Sequence, residues 1–110
     1  MNAITVKSIQ AETHPQTKML FWVLFAGSRG SVNRIRIISI LKNRPLNKNQ
    51  MSNELHLDYK TIKHHIKNLE NNNLVSKIGI GYSETYFISE FLESNMNLFD
   101  EIGTKLVESN

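Results

Sequence analysis

The chain has 110 residues, 40% of them hydrophobic, which is enough for one domain with a modest core. Its 13 lysines and arginines outnumber 10 acidic residues, giving a formal net charge of +3, and it contains no cysteine. The absence of cysteine excludes disulfides, thiolate metal sites and cysteine nucleophiles, and it fits a reducing cytoplasm.

The N-terminal part of the sequence predicts an arm followed by an apolar helix. Residues 1–15 show no sustained periodicity and end at a proline, so we expect a mobile arm. Gln16–Ala26 predicts a helix that is apolar nearly all round. Its strongly apolar run of eight residues is far shorter than the ~20 needed to span a bilayer, so no membrane partner is expected. Either this helix is a well-covered core helix, or part of it, including Phe21 and Trp22, lies in a subunit interface.

A break at Gly27–Gly30 precedes a second predicted helix, which begins at Ser31 or Asn33 and ends near Lys42. Its aliphatic residues form a buried stripe, and its two arginines are expected to point away from that stripe. The stripe consists of Ile35, Ile38 and Leu41, with Ile37 nearby, and the arginines are Arg34 and Arg36. Leu46 is then expected to form a short first strand.

The stretch Asn47–Asn73 predicts two short helices joined by a tight turn. The first runs from about Lys48 to Leu55, and Asp58 is a strong N-cap candidate for the second. The second helix has an apolar face of Ile62, Ile66 and Leu69. Its opposite face is basic and polar, and consists of Tyr59, Lys60, Thr61, Lys63, His64 and Lys67. A helix-turn-helix places such a face in the major groove of DNA, although a basic helix face is more often simply solvated.

Two strands follow these helices. Leu74–Ile78 and Thr85–Ser89 have strand character and are separated by a turn at Gly79–Ser83. Helices followed by a hairpin are the order of a winged helix-turn-helix. We therefore predict a mainly α fold with a small β-hairpin: a winged helix-turn-helix domain over residues 16–90, with extra N-terminal and C-terminal helices.

The tail, residues 91–110, predicts a last helix from Phe91 to Glu108. Its apolar residues follow a seven-residue repeat with one polar member, as in a helix that pairs with its own copy. The repeat contains Leu92, Asn95, Phe99, Ile102 and Leu106. In a dimer Asn95 would fix the register, whereas the alternative is that part of the helix folds back on the domain.

Charge is unevenly distributed along the chain. Between Arg29 and Lys77 ten basic residues face three acidic ones, a balance of +7. From Glu84 to the end six acidic residues face one lysine, a balance of −5. A basic middle and an acidic tail favour a chain that offers one surface to a polyanion.

Several of these segments together resemble the ArsR-like winged helix regulators, especially the short archaeal ones, over about residues 19 to 90. The resemblance is carried by Leu57–Leu69, Leu74-Val75, Gly79, Gly81-Tyr82 and Tyr86–Ser89, with the upstream Gly27–Gly30. It implies a recognition helix over residues 59–72 and a wing tip at Gly79–Glu84. The expected function is a homodimeric, sequence-specific transcriptional regulator whose partners are double-stranded DNA and a second copy of the chain.

The wing adds few expected DNA contacts to those of the recognition helix. It offers Lys77, Tyr82 and Ser83, and Lys77 is its one clear cation, so a weak contribution is expected.

The alternative function is a winged helix that binds another protein without reading DNA. No catalytic residue set or cofactor motif is recognisable. No metal site is expected either, because the adjacent His64 and His65 would point about 100° apart on a helix and could not bind one ion together. The chain is therefore not expected to be an enzyme.

Overall fold

The computed structural model describes residues 4–109, apart from the side chains of Tyr82 and residues 107–109. These residues form two compact units. One comprises residues 4–35 and 94–109, and the other comprises residues 36–93. The helix α2 (Ser31–Leu41) begins in the first unit and ends in the second.

The first unit is built on two helices, α1 (Pro15–Phe25) and α6 (Met96–Ser109), which pack against each other. Pro15 suits the first helical position, and His14 caps the helix by accepting a hydrogen bond from the Gln16 amide. The Phe25 ring packs edge-on against Phe99, with centroids 5.0 Å apart. The core of this unit consists of Ile9, Phe21, Leu24, Phe25, Leu98, Phe99 and Ile102.

The residues before α1 include a single 3₁₀ turn, Val6–Ser8, and hydrogen bonds to α6. The Glu101 carboxylate accepts hydrogen bonds from the backbone amides of Gln10, at 2.5 Å, and Ala11, at 2.7 Å. Lys105 forms an ion pair with Glu101 at 3.0 Å. The prediction of a mobile arm over residues 1–15 falls partly on residues 1–3, which lie outside the described residues, and mobility stays a prediction.

Arg34 differs from its expected position. It is only 5% exposed, because its side chain turns back to the carboxyl end of α1. There its Nε donates to the Leu24 carbonyl at 2.7 Å and its guanidinium also donates to Ser28 Oγ. A cation at this position satisfies carbonyls that the helix end leaves without intrahelical partners.

The second unit is a winged helix-turn-helix, which confirms the predicted fold class. Its helices and strands after α2 are β1 (Leu46–Asn47), α3 (Lys48–Leu55), α4 (Tyr59–Asn71), β2 (Val75–Ile78), β3 (Thr85–Ile88) and α5 (Glu90–Ser94). The sheet is antiparallel, in the order β1-β3-β2, with Leu46 opposite Tyr86 and Val75 opposite Ile88. The largest fully buried side chains of the second unit are Ile37, Ile38, Leu46, Met51, Ile62, Ile66, Leu69, Leu74 and Leu92.

Local hydrogen bonds set the ends of the two central helices. Asn47 and Gln50 form a reciprocal capping box, with both bonds at 2.8 Å, so α3 begins at Lys48. His56 ends α3 in the left-handed region, with φ of 55°. The Asp58 carboxylate then accepts a hydrogen bond from the Lys60 amide at 3.1 Å, which confirms the predicted cap of α4.

The tail is two helices rather than the single helix predicted from Phe91 to Glu108. Helix α5 ends at Ser94 and α6 begins at Met96. Between them the Asn95 side chain accepts a hydrogen bond from Thr13 Oγ1 at 2.8 Å, and the Asn95 carbonyl accepts from the Leu98 amide at 3.0 Å. The helix is thus interrupted at Asn95, whose side chain bonds to a residue 82 positions earlier in the chain.

Candidate nucleic-acid interface

Helix α4 presents two chemically distinct faces. The residues Ile62, His65, Ile66 and Leu69 are buried in the second unit. The opposite side of the helix is exposed, and the exposed residues there include Lys60, Lys63, His64 and Lys67. Tyr59 and Thr61 are half-buried at the start of the helix. The six residues predicted to contact DNA from this helix therefore all retain solvent access, and three of them carry a positive charge.

The two adjacent histidines have different surroundings. His65 is 6% exposed and lies among the buried residues of α4. His64 is exposed, and the two rings meet edge-on with centroids 5.2 Å apart. Of the pair, His64 is thus the histidine that can reach a ligand from solvent.

The wing is poor in available charge. Lys77 Nζ lies 3.6 Å from a carboxylate oxygen of Glu70 and 3.6 Å from one of Glu84. Ser83 Oγ donates to the Ile80 carbonyl at 2.7 Å, and the side chain of Tyr82 lies outside the described residues. Gly79 has a φ of 89°, and a Cβ there would lie 2.9 Å from the Ser83 carbonyl oxygen, so this turn favours glycine.

The wing tip is apolar. Ile78 is 64% exposed and Ile80 is 85% exposed, and neither is among the DNA contacts predicted from the sequence. The available signal was their position, because Ile80 lies between two glycines in the turn and Ile78 is the last residue of β2 before that turn. A surface formed by these side chains contacts a partner through shape and apolar area rather than through charge.

A cleft beside α4 contains residues that the sequence analysis also missed. It has a volume of about 250 Å³ and is lined by Lys48, Asn49, Tyr59 and Glu84. The ammonium of Lys48 lies 5.9 Å from the ring centroids of both Tyr59 and Tyr86, within cation–π range. Lys48 is the first residue of α3, and a basic residue directly after an N-cap at a helix-turn-helix was the available signal.

The Tyr86 hydroxyl donates a hydrogen bond to Glu84 at 3.0 Å. This bond is the main reason that the pKa of Glu84 is lowered, with further contributions from the nearby Lys77 and Lys48. Burial of Tyr86 and its bond to Glu84 raise the pKa of the phenol. At neutral pH Glu84 in this cleft is therefore ionised, and Tyr86, its hydrogen-bond donor, is protonated.

The residues predicted at a dimer interface have unequal exposure. Phe21, Leu92, Phe99 and Ile102 are buried within the chain, so they have little surface left for a partner. Trp22, Asn95 and Leu106 are half-buried. Helix α1 also exposes Met19 by 49% and Val23 by 42%, one helical turn apart.

Among the residues that the structure describes, no group of three or more histidine, cysteine or acidic side chains is placed to hold a metal ion. The described helices include none that is long and apolar enough to cross a membrane.

Residues 31–77 match the family described as "Bacterial regulatory protein, arsR family". No curated protein sequence matches the chain. Among the solved structures that share its fold are the following two. The PcaV transcriptional regulator from Streptomyces coelicolor, in complex with its natural ligand, is 14% identical with a TM-score of 0.58, over 98% of this chain and 79% of that one. RV1404 from Mycobacterium tuberculosis is 15% identical with a TM-score of 0.56, over 86% of this chain and 74% of that one.

The matched residues span α2, α3, α4 and most of β2, which is the helix-turn-helix with the first strand of its wing. The resemblance inferred from the sequence is thereby confirmed, while the archaeal type stays a prediction. Residues 31–77 therefore resemble the arsR family of regulatory proteins, and the chain has a winged helix-turn-helix fold.

Proposed function

We propose that the protein is a cytoplasmic, sequence-specific transcriptional regulator that binds double-stranded DNA as a homodimer, with α4 in the major groove. The observation that carries this proposal is the exposed face of α4, on which Lys60, Lys63, His64 and Lys67 stand free of the core. A helix-turn-helix inserts its second helix into the major groove, and the apolar face of α4 fixes which side that helix presents.

The proposed contacts divide into two kinds. Lys60, Lys63 and Lys67 would contact phosphates and thereby set the position of the helix on the duplex. Thr61 and His64 would contact base edges, and Tyr59 would lie near a phosphate at the start of the helix. Because α4 contains no arginine, the commonest reader of guanine, we expect a preference for A·T-rich sites.

The homodimer is proposed because a single recognition helix reads too few base pairs for a specific site. The half-buried Trp22, Asn95 and Leu106 retain surface for a second copy, together with the exposed Met19 and Val23. The other residues predicted at the interface, Phe21, Leu92, Phe99 and Ile102, are buried within the chain and would offer a second copy little surface. The structural likeness to the PcaV transcriptional regulator adds support at the level of the fold.

The test is a fluorescence anisotropy titration of two duplexes of equal length, at low and at moderate salt. One duplex contains the DNA upstream of the protein's own coding region, and the other is its scrambled sequence. A preference for the upstream duplex that survives moderate salt is the expected result. Equal, weak binding that disappears with salt would be non-specific attraction and would contradict specific readout of this DNA.

A second candidate function is binding to another protein through the winged helix. The observation that favours it is the wing, whose tip exposes Ile78 and Ile80 and whose one clear cation, Lys77, is paired with two carboxylates. Absence of binding to either duplex, even at low salt, would favour this function. A monomer in light scattering would point in the same direction, because α1 would then expose apolar residues that need a different partner.

A further inference from the structure

A second cleft lies between the start of α3, α4 and the wing. Four lysines and two carboxylates line it: Lys48, Lys63, Lys67, Lys77, Glu70 and Glu84. Lys77 is held between the two carboxylates in ion pairs. The positive charge of Lys77 is thus the one in this cleft that two neighbouring acids offset.

Lys77 remains within reach of a ligand. Its side chain is 40% exposed, whereas the side chains of Glu70 and Glu84 are 32% and 21% exposed. An exposed ion pair of this kind is weak, so it would not by itself prevent Lys77 from turning towards a phosphate. A phosphate that approaches Lys77 would, however, also be repelled by the two neighbouring carboxylates, Glu70 and Glu84.

Glu84 is held in place more firmly than an ordinary surface glutamate. Its carboxylate accepts a hydrogen bond from the hydroxyl of Tyr86, a residue that is only 2% exposed and lies in the central strand of the sheet. The lowered pKa of Glu84 keeps the carboxylate ionised at neutral pH. Glu84 cannot easily swing out of the cleft to make room for a second anion without losing this bond.

We propose that Glu84 prevents Lys77 from contacting DNA phosphate, so that DNA affinity depends on α4 and the wing adds little counterion release. This inference rests on the proposed function, since it concerns the same DNA surface. A lysine whose charge is already neutralised by a fixed carboxylate releases few counterions when DNA binds, and it adds little to the salt dependence of binding.

The variant that tests this is Glu84→Gln, which removes the charge and keeps an oxygen that can accept the Tyr86 hydrogen bond. Binding of the scrambled duplex is measured by anisotropy across a salt series. In each bound protomer, one new phosphate contact steepens the slope of log K against log salt by about 0.9 and tightens binding about eightfold at 0.1 M salt. Unchanged midpoints in urea unfolding verify that the variant is folded.

Two further variants locate the effect. Glu93→Gln changes the net charge equally at an exposed residue of α5 and is expected to leave the slope unchanged. Lys77→Ala combined with Glu84→Gln is expected to bind like Lys77→Ala alone, because the gain passes through Lys77. An unaltered slope in Glu84→Gln, an equal gain in Glu93→Gln, or a gain that persists without Lys77 would each overturn the proposal. Failure of every variant and of the wild type to bind DNA would overturn the proposed function as well.

Discussion

Replacement of Lys63 and Lys67 by alanine tests the phosphate contacts assigned to α4. Both residues are exposed and lie one helical turn apart on the same side of the helix. Neither makes a core contact that the truncation would remove, so the fold should be preserved. The expected loss is therefore one of DNA affinity and not of stability.

The magnitude follows from counterion release. Each lost phosphate contact lowers the salt slope by about 0.9, so the double variant should flatten it by about 2 for each bound protomer. At 0.1 M salt this corresponds to about 60-fold weaker binding for each bound protomer, equally for the upstream and the scrambled duplex. The loss is equal because phosphates are the same in every sequence.

The assay is an anisotropy titration over a salt series, with Lys7→Ala plus Lys18→Ala as the matched control. That control removes the same two charges from residues outside the second unit. An unchanged slope in the α4 variant would refute the assignment of these lysines. An equal flattening in the control would show that net charge, rather than this helix face, determines the affinity.

Three predictions concern folding. Leu69→Ala, at a fully buried position, should destabilise the protein by about 2–5 kcal/mol in urea unfolding, while Asn71→Ala at an exposed position should cost under about 0.5 kcal/mol. Asp58→Ala should cost about 1 kcal/mol and Asp58→Asn much less, because asparagine can still cap α4; equal losses would contradict the cap. Burial opposes ionisation of Glu101, but hydrogen bonds from Gln10, Lys105 and Ala11 outweigh it and lower its pKa. The ionised Glu101 therefore stabilises the folded chain fully at pH values above its pKa in the unfolded chain, near 4.3, and this stabilisation is lost as the pH falls through its pKa in the folded chain. In Glu101→Gln the free energy of unfolding should lose this part of its dependence on acid pH.

Much of the second unit could be predicted because its signals are local. Asn47 with Gln50, and Asp58 before Tyr59, are caps that set helix ends within three residues, and α3 begins and ends where the sequence indicated. The buried stripe of α4 follows directly from helical periodicity. The exposed face of α4 then follows as the remaining side of the same helix.

The features that sequence reasoning missed depend on contacts between distant residues. The break at Asn95 involves Thr13, which lies 82 residues earlier, and no periodicity can indicate such a partner. Burial of Arg34 depends on the carboxyl end of α1, ten residues earlier, and a basic residue in a helix is normally expected at the surface. The pairing of Lys77 with Glu70 and Glu84 likewise requires the wing to be placed beside α4.

The central claim, that α4 reads the major groove, is tested most directly by dimethyl sulfate footprinting of the upstream duplex. The reagent methylates guanine N7 in the major groove and adenine N3 in the minor groove, so a single experiment distinguishes the two. We predict protection of guanine N7 within or directly beside two half-sites whose centres lie about 10–10.5 base pairs apart, as for a dimer of recognition helices. Protection confined to adenine N3 in half-sites that also contain guanine, or no protection at concentrations that saturate binding, would contradict it.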